Sequence, residues 1–278
     1  MSSDLLKSAI RTAVPREFRN WLRSPMTSAA WLWDAASFRL GKRKTLLLAP
    51  GRKLICHPRA YKVVLREMAW EPEQKIEMQS FLSECSDKMH LFDLGAHFGI
   101  FSLVAASYGA KSIAVDPSPI AVRMIQIQTR LNGATDRIQI ERAAVGEAAG
   151  TIEMLSSGVF TDGFFRVVRG KPRNDAKKVN VTTVDELTKR YGLPTLIKID
   201  VEGHEAPVLR GARDTLSRCS PILFIELHND MLMREGQDPA SALNEMSTLG
   251  YEKLLFNGKM IERAEILGKR IARIVATR

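Results

Sequence analysis

Short apolar runs that stop at a glycine or an acid, each followed by a stretch with helical spacing, constrain this chain more than any other feature. MHLFDLG (89–95) is an apolar run ended by Gly95, the pattern of a strand buried on both faces. HFGIFSLVAASYG then has helical spacing, SIAVD reads as a strand, PSPIAVRMIQIQTRLNG as a helix and RIQIERAAV as a strand. After an interruption, TVDELTKRYG, LIKIDVEG, HEAPVLRGARDTLSRC, PILFIELH and DPASALNEMSTLG continue as helix, strand, helix, strand and helix. YEKLLFNGKMIERAEILGKRIARIVATR closes as strand, turn, irregular segment and final strand. Parallel strands need long crossovers, usually helices, so this alternation predicts a doubly wound α/β sheet.

The alternation occupies residues 73–278 and is read as one domain. Its interruption, near 150–181, has short β-like runs separated by Gly, Ser and charges. It is expected to be a hairpin insertion with its tip near Lys171–Lys178, and Ser156–Phe165, with Asp162, is a candidate wall of an acceptor pocket or a plain surface hairpin. Residues 1–72 form a basic, Trp-rich extension holding Trp21, Trp31, Trp33 and Trp70, helical at first and then, in TLLLAPGRKLICHP, two short strands around a Pro-Gly turn. The net charge of +10 is uneven: residues 1–66 carry 14 Lys/Arg against 3 Asp/Glu, so +11, and the remainder is −1. A neutral main region argues against a nucleic-acid enzyme. The basic face suits an anionic membrane surface, a nucleotide-linked sugar or a phosphorylated substrate; it also suits a helix packed over a cleft or a homodimer contact, or a plain solvated face. Cys56, Cys85 and Cys219 lie far apart without a CxxC pair, which fits a reducing, cytoplasmic setting. No apolar run approaches the ~18 residues of a membrane span, so a soluble or peripheral protein is expected.

In an open parallel sheet, ligands sit at the carboxyl ends of the strands, near the point where strand order reverses. The first strand of the alternating region ends in Asp93-Leu94-Gly95-Ala96-His97-Phe98-Gly99, and the next ends in Asp116. Gly95 permits a tight turn and close approach to a ligand, Gly99 starts the next helix, and Asp116 can accept hydrogen bonds from two ribose hydroxyls. A dinucleotide turn reads GxGxxG. Here it is GAHFG, with His97 and Phe98 crowding the loop and Asp93 repelling a pyrophosphate while welcoming an ammonium. These residues favour S-adenosylmethionine over a nicotinamide cofactor.

A second group of polar residues follows the later strands: Asp200, Glu202, Gly203, His204 and Glu205 after LIKI, and Glu226 and His228 at the end of LFIELH. Period-two alternation sets Asp200 and Glu202 on one side if the strand continues that far. Charged groups at the edge of buried strands are costly unless they are paired or used. An ion-paired or helix-capping cluster is the structural alternative, since Glu202, His204 and Glu205 fall at a helix start.

FDLGAHFGIFS, AVDPSP, IERAAVGE and above all LIKIDVEGHEAPVLRGA with PILFIELH resemble the FkbM family of methyltransferases over roughly residues 88–230. The resemblance implies a Rossmann-like sheet of seven strands with the last antiparallel, and methyl transfer, commonly to a hydroxyl of a sugar or a small natural product. It places Asp93, Gly95 and Gly99 along the methionine part of S-adenosyl-L-methionine, with Ala96, His97, Phe98, Pro117 and Asp200 completing the cofactor set. Asp116 would hold the ribose, and Arg142, Ala143 and Ala144 would border the adenine. The family often has Asn where this chain has His97. A nicotinamide oxidoreductase, or a silent binding module of the same fold, remains the competing reading.

Methyl transfer from a sulfonium is an in-line displacement that needs alignment and, for an alcohol, help in removing a proton. His228 and His204 have a suitable ordinary pKa of ~6.5, with Asp200, Glu202 and Glu226 orienting the base or gripping sugar hydroxyls. The metal-free arrangement is the expected one. The alternative is magnesium on Asp200, Glu202 and Glu226.

Overall fold

The computed structural model describes residues 35–49, 51–62, 72–156, 165–167, 176–234 and 236–278. The four tryptophans, residues 1–34 and 63–66 of the stretch 1–66 expected to offer a membrane contact, and the insertion residues 157–164, with Asp162, lie outside the described residues, as do 168–175 of the insertion tip.

Two antiparallel strands, β1 (Lys44–Ala49) and β2 (Arg52–Cys56), precede the main region as the sequence predicts. Helix α1 (Pro72–Glu84) precedes the first buried strand, β3 (His90–Leu94), which α2 (Ile100–Ser107) connects to β4 (Lys111–Val115). Helix α3 (Pro119–Leu131) starts where Ser118 accepts the Ala121 N–H and a proline occupies the first turn, which lacks partners for its own N–H groups. It leads to β5 (Ile138–Glu141). The run expected as one strand over 137–145 is two: β6 (Ala144–Val145) turns away and pairs with β9 (Lys177–Thr182). Together with β7 (Gly150–Ser156) and β8 (Phe165–Val167) these form a separate four-stranded sheet, ordered β6-β9-β7-β8. Thr183 caps α4 (Val184–Tyr191), which carries acids in its first turn and bases in its last, matching the helix dipole.

The chain then runs β10 (Leu196–Ile199), α5 (Glu205–Arg210), α6 (Arg213–Arg218), β11 (Ile222–Leu227), α7 (Asn229–Arg234) and α8 (Ser241–Thr248). It ends in β12 (Lys253–Phe256), β13 (Lys259–Met260), α9 (Arg263–Leu267) and β14 (Ala272–Thr277). The main sheet is ordered β13-β12-β14-β11-β10-β3-β4-β5. The five strands from β11 to β5 are parallel, and the final strand, β14, inserts antiparallel between β11 and β12. Seven strands with the last one reversed are the doubly wound arrangement expected from the sequence. The eighth, β13, is a two-residue partner of β12 across the Asn257-Gly258 hairpin turn, both residues left-handed.

Alternation along the strands sends their residues to two cores. Phe92, Leu94, Ile197, Ile199, Leu223 and Ile225 pack on one face with α4, α5, α6 and α8. Leu91, Leu196 and Phe224 pack on the other with α1, α2 and the β1–β2 hairpin. The helix expected over 204–219 is broken into α5 and α6 at Gly211, whose backbone presses on the β6–β7 turn. A Cβ there would lie 2.1 Å from the Gly146 carbonyl oxygen. Gly211→Ala should therefore destabilise the protein by about 1–3 kcal/mol through overpacking, seen as a lower urea midpoint with an unchanged m-value.

Candidate active site

Strand order reverses between β3 and β10, and the turn after β3 runs over the carboxyl end of β10. Gly95 has φ +81°, and a Cβ on it would sit 1.8 Å from the carbonyl oxygen of Asp200. The close approach that demands glycine here is therefore to the β10 backbone. Gly99 is likewise explained by packing, since a Cβ would meet Ile125 of α3 at 3.1 Å. Phe98 does not crowd the loop: it is buried with Met124 and Ala60. The His97 ring stacks on it at 4.2 Å between centroids. His97 itself is left-handed at φ 49°, a conformation uncommon for a residue with a Cβ and concentrated at functional sites.

Five N–H groups in and just after this turn are engaged within the protein. Those of Gly95 and Ala96 donate to the Val115 carbonyl, and that of Gly99 to Ala96. The N–H of His97 donates to Asp116 Oδ2 at 2.8 Å, and that of Ser102 to Asp93 Oδ2 at 3.1 Å. Asp93 is buried, also accepts the Ser102 hydroxyl at 2.7 Å, and so anchors α2 from below. It does not present an open carboxylate to a ligand, as the sequence suggests. Burial pushes its pKa up to about 6 despite the Ser102 bonds and Lys198. Asp116 accepts from His97 and, through Oδ1, from Ser118 at 2.8 Å; burial raises its pKa to about 7. Each oxygen keeps lone-pair capacity for a hydroxyl. The Asp116 N–H donates to Glu141, so β5 and the Arg142–Ala144 segment flank it. Pro117 and the Arg142 side chain are accessible there, whereas Ala143 and Ala144 are buried.

On β10, Leu196, Lys198 and Asp200 share the α1 side of the sheet; Lys198 pairs in register with Asp93 of β3 and Phe224 of β11. Lys198 is fully buried, with its ammonium 3.3 Å from Glu77 of α1 and 3.6 Å from Asp200 Oδ2. Glu226 of β11 is opposite Arg273 of β14, which holds it bidentately with two bonds of 2.9 Å. His228 follows β11 with its ring buried. Nδ1 lies 2.8 Å from Oε1 of Glu205, and Nε2 lies 3.8, 3.9 and 3.6 Å from oxygens of Asp200, Glu202 and Glu226. Glu205 is itself buried and accepts the Gly203 N–H at 2.9 Å.

Burial works against charge on His228, but the Glu205 bond and the carboxylates of Asp200 and Glu226 outweigh it and push its pKa up to about 10. At neutral pH it carries a proton on both ring nitrogens in this arrangement, which is not the free base its ordinary pKa suggests. Glu226, desolvated and next to Asp200, is pushed up to about 8. Burial would raise the Asp200 carboxyl too, but Lys198, His228 and Arg273 hold it below the usual range. Asp200 and Glu202 are the accessible carboxylates, with side chains 35% and 26% exposed. Glu202 reaches the cluster differently from expectation: β10 ends at Ile199, and a left-handed backbone at φ 53° turns Glu202 toward His228. His204 begins α5, and its ring packs beside the β6–β7 turn, where a Cβ on Gly146 would meet Nε2 at 3.3 Å.

The site thus combines a switch-point turn, the carboxylate of Asp116 beside it and a second set of acids one strand over. The family model for the methyltransferase FkbM domain matches residues 93–253, more than half of the chain, and the chain belongs to that family. The hexuronic acid methyltransferase AglP of Haloferax volcanii is 24% identical over 150 residues, 53% of this chain and 59% of that one. A ribosomal protein L11 methyltransferase of Desulfitobacterium hafniense is 32% identical over 75 residues, 27% of this chain and 24% of its own. The chain thus spans less than two thirds of either relative. Among solved structures, an FkbM methyltransferase from Methylobacillus flagellatus aligns at a TM-score of 0.47 and 16% identity, covering 79% of this chain and 58% of that one.

Three participants escape a reading of the sequence: Lys198, Arg273 and Glu77. The first two interrupt buried strands, LIKI and ARIVAT, and such an interruption is the signal that could have found them. Glu77 sits on a largely polar helix, and nothing in its spacing marks it. Lys198→Met removes the nearer of the two cations on Glu77, leaving Arg273 at 3.8 Å, and takes one partner from Asp200, so it should cost about 3–5 kcal/mol of stability, measured by denaturant unfolding; a change within 1 kcal/mol would mean that the ammonium is not balancing these acids.

Proposed function

We propose that this chain is an S-adenosylmethionine-dependent O-methyltransferase acting on a hydroxyl of a sugar, a glycan or a small natural product. The observation that carries the cofactor is the pair of acids, Asp116 after β4 and Asp200 after β10, at the switch point where a dinucleotide would place its pyrophosphate. A dinucleotide pyrophosphate needs free backbone donors at the start of the helix after the first strand. Here the N–H groups of Gly95, Ala96, His97, Gly99 and Ser102 are taken by carbonyls or by Asp93 and Asp116. What the site offers is acid: Asp116 for two ribose hydroxyls, and the Asp200 region for a ligand carrying an ammonium and a sulfonium. That chemistry is the cofactor's, and it disfavours the nicotinamide reading.

The acceptor class rests on a family relative that is named for modifying a hexuronic acid, and on the open carboxylates Asp200 and Glu202, which suit the gripping of hydroxyls. Asp200 is the group placed to receive the hydroxyl proton as the new bond forms. It is ionised and accessible, and its backbone carbonyl packs against Gly95. His228 and Glu226 act on Asp200 by fixing its charge and position. Alignment of the hydroxyl with the methyl–sulfur axis supplies the rest, up to about 7–11 kcal/mol for ideal intramolecular geometry.

Isothermal titration with S-adenosylmethionine checks the cofactor. Protonated Asp116 loses acceptor capacity, so affinity should fall as the pH drops from 8 through about 7 to 6, by no more than about tenfold per unit. Asp116→Asn should bind weakly and without that slope, and an unchanged affinity removes the ribose role. Asp200→Asn should lower kcat by about 10²–10⁴-fold, the range for a lost proton acceptor, with the cofactor Kd within a few-fold of the parent. Labelled-cofactor transfer to a panel of uronic acids and neutral sugars reads both the rate and the acceptor class.

A further inference from the structure

The three side chains gathered at the ends of β10 and β11 have more in common than mutual ion pairing. One oxygen of Asp200, one of Glu226 and a ring nitrogen of His228 all lie within 4.8 Å of one another. The separations from Nε2, 3.6 Å to Glu226 Oε1 and 3.8 Å to Asp200 Oδ1, are too long for hydrogen bonds. They are near the spacing of neighbouring donors around a small ion, about 3.0–3.4 Å for bonds of about 2.1 Å.

The imidazole is mounted for this. Its side chain is 4% exposed, and Nδ1 is held at 2.8 Å by Glu205, which is buried and fixed by the Gly203 N–H. A carboxylate on one ring nitrogen sets the tautomer and aims the other nitrogen, the usual support of a metal-binding histidine. Among the described residues, Nε2 has no hydrogen-bond acceptor within 3.5 Å, although it is turned into three carboxylates. Lys198 is on Oδ2 of Asp200, away from the oxygen that faces His228, while Arg273 grips both oxygens of Glu226 from β14, including the Oε1 that faces Nε2, which keeps a second lone pair.

We propose that Asp200, Glu226 and His228 bind a divalent cation, with Glu205 as the positioning residue for His228 and Glu202 at the rim. One imidazole with two carboxylates suits a first-row ion of the Mn²⁺ class, in contrast to the all-oxygen set expected to take magnesium. The role of the ion rests on the methyltransferase reading: beside Asp200, whose carbonyl touches the cofactor turn, it would hold the acceptor hydroxyl. Its existence does not rest on that reading.

The test is Mn²⁺ uptake by the full chain after chelator treatment and dialysis, followed by electron paramagnetic resonance, with S-adenosylmethionine binding measured on the same samples. One Mn²⁺ per chain is expected, with spin-echo modulation from a directly bound nitrogen. His228→Gln should abolish the modulation, and Asp200→Asn should weaken uptake more than tenfold. Glu205→Gln should weaken it about 10–100-fold. No uptake, uptake without nitrogen modulation, or uptake indifferent to Asp200→Asn and His228→Gln overturns the site. The nitrogen signal in the parent protein keeps the test decisive if a variant fails to fold. Mn²⁺ uptake without cofactor binding would count against the methyltransferase reading and leave the cation site standing.

Discussion

Lys198 puts an ammonium into the middle of the sheet, and much of the surrounding architecture answers that one placement. A buried charge persists only when it is paired, so helix α1 must bring Glu77 across the face of the sheet, and β10 must end in Asp200. Arg273 repeats the arrangement two strands further out, clamping Glu226 of the intervening strand from the reversed final strand. The reversed β14 therefore contributes to the site as well as closing the sheet edge: its arginine reaches a carboxylate that no crossover helix supplies with a cation.

The acids at this end fall into two groups with different duties. Asp93 and Glu205 are buried and spent on the protein itself, one tethering α2 through Ser102 and the other mounting His228. Asp200 and Glu202 are open, and Asp116 keeps lone pairs for hydroxyls. The pairing of closed and open acids explains why the cluster can be rigid and still meet a ligand, because the accessible groups are aimed by neighbours that solvent cannot reach. Left-handed backbone at His97 and Glu202 marks both ends of the same region, where the chain accepts strain to turn a side chain or an N–H inward.

Several motifs were legible for one reason and serve another. Gly95 reads as room for a ligand, but its missing Cβ is needed by the Asp200 carbonyl. Phe98 reads as an obstruction in the loop and is instead a core residue under it. His228 reads as a base from its ordinary pKa, a property that Glu205, Asp200 and Glu226 reverse. In each case the residue type and its position in the chain are correct, while most of the deciding neighbours lie about 23–105 residues away in the chain and are invisible to any local pattern.

By itself the sequence determined the doubly wound sheet, its reversed last strand, the turn at Asp93–Gly99 and the strand ends at Asp116, Asp200 and Glu226. Those features follow from local periodicity, glycine punctuation and family motifs carried in contiguous residues. Tertiary structure alone decided which acids are open, which histidine joins them and which cations hold them in place. His204 and His228 both sit beside acids in the chain, but the break after β10 sends one toward Gly146 and the sheet register brings the other against Glu205. Burial and partnership set the charge of a titratable group, and both depend on strands and helices brought together from across the chain.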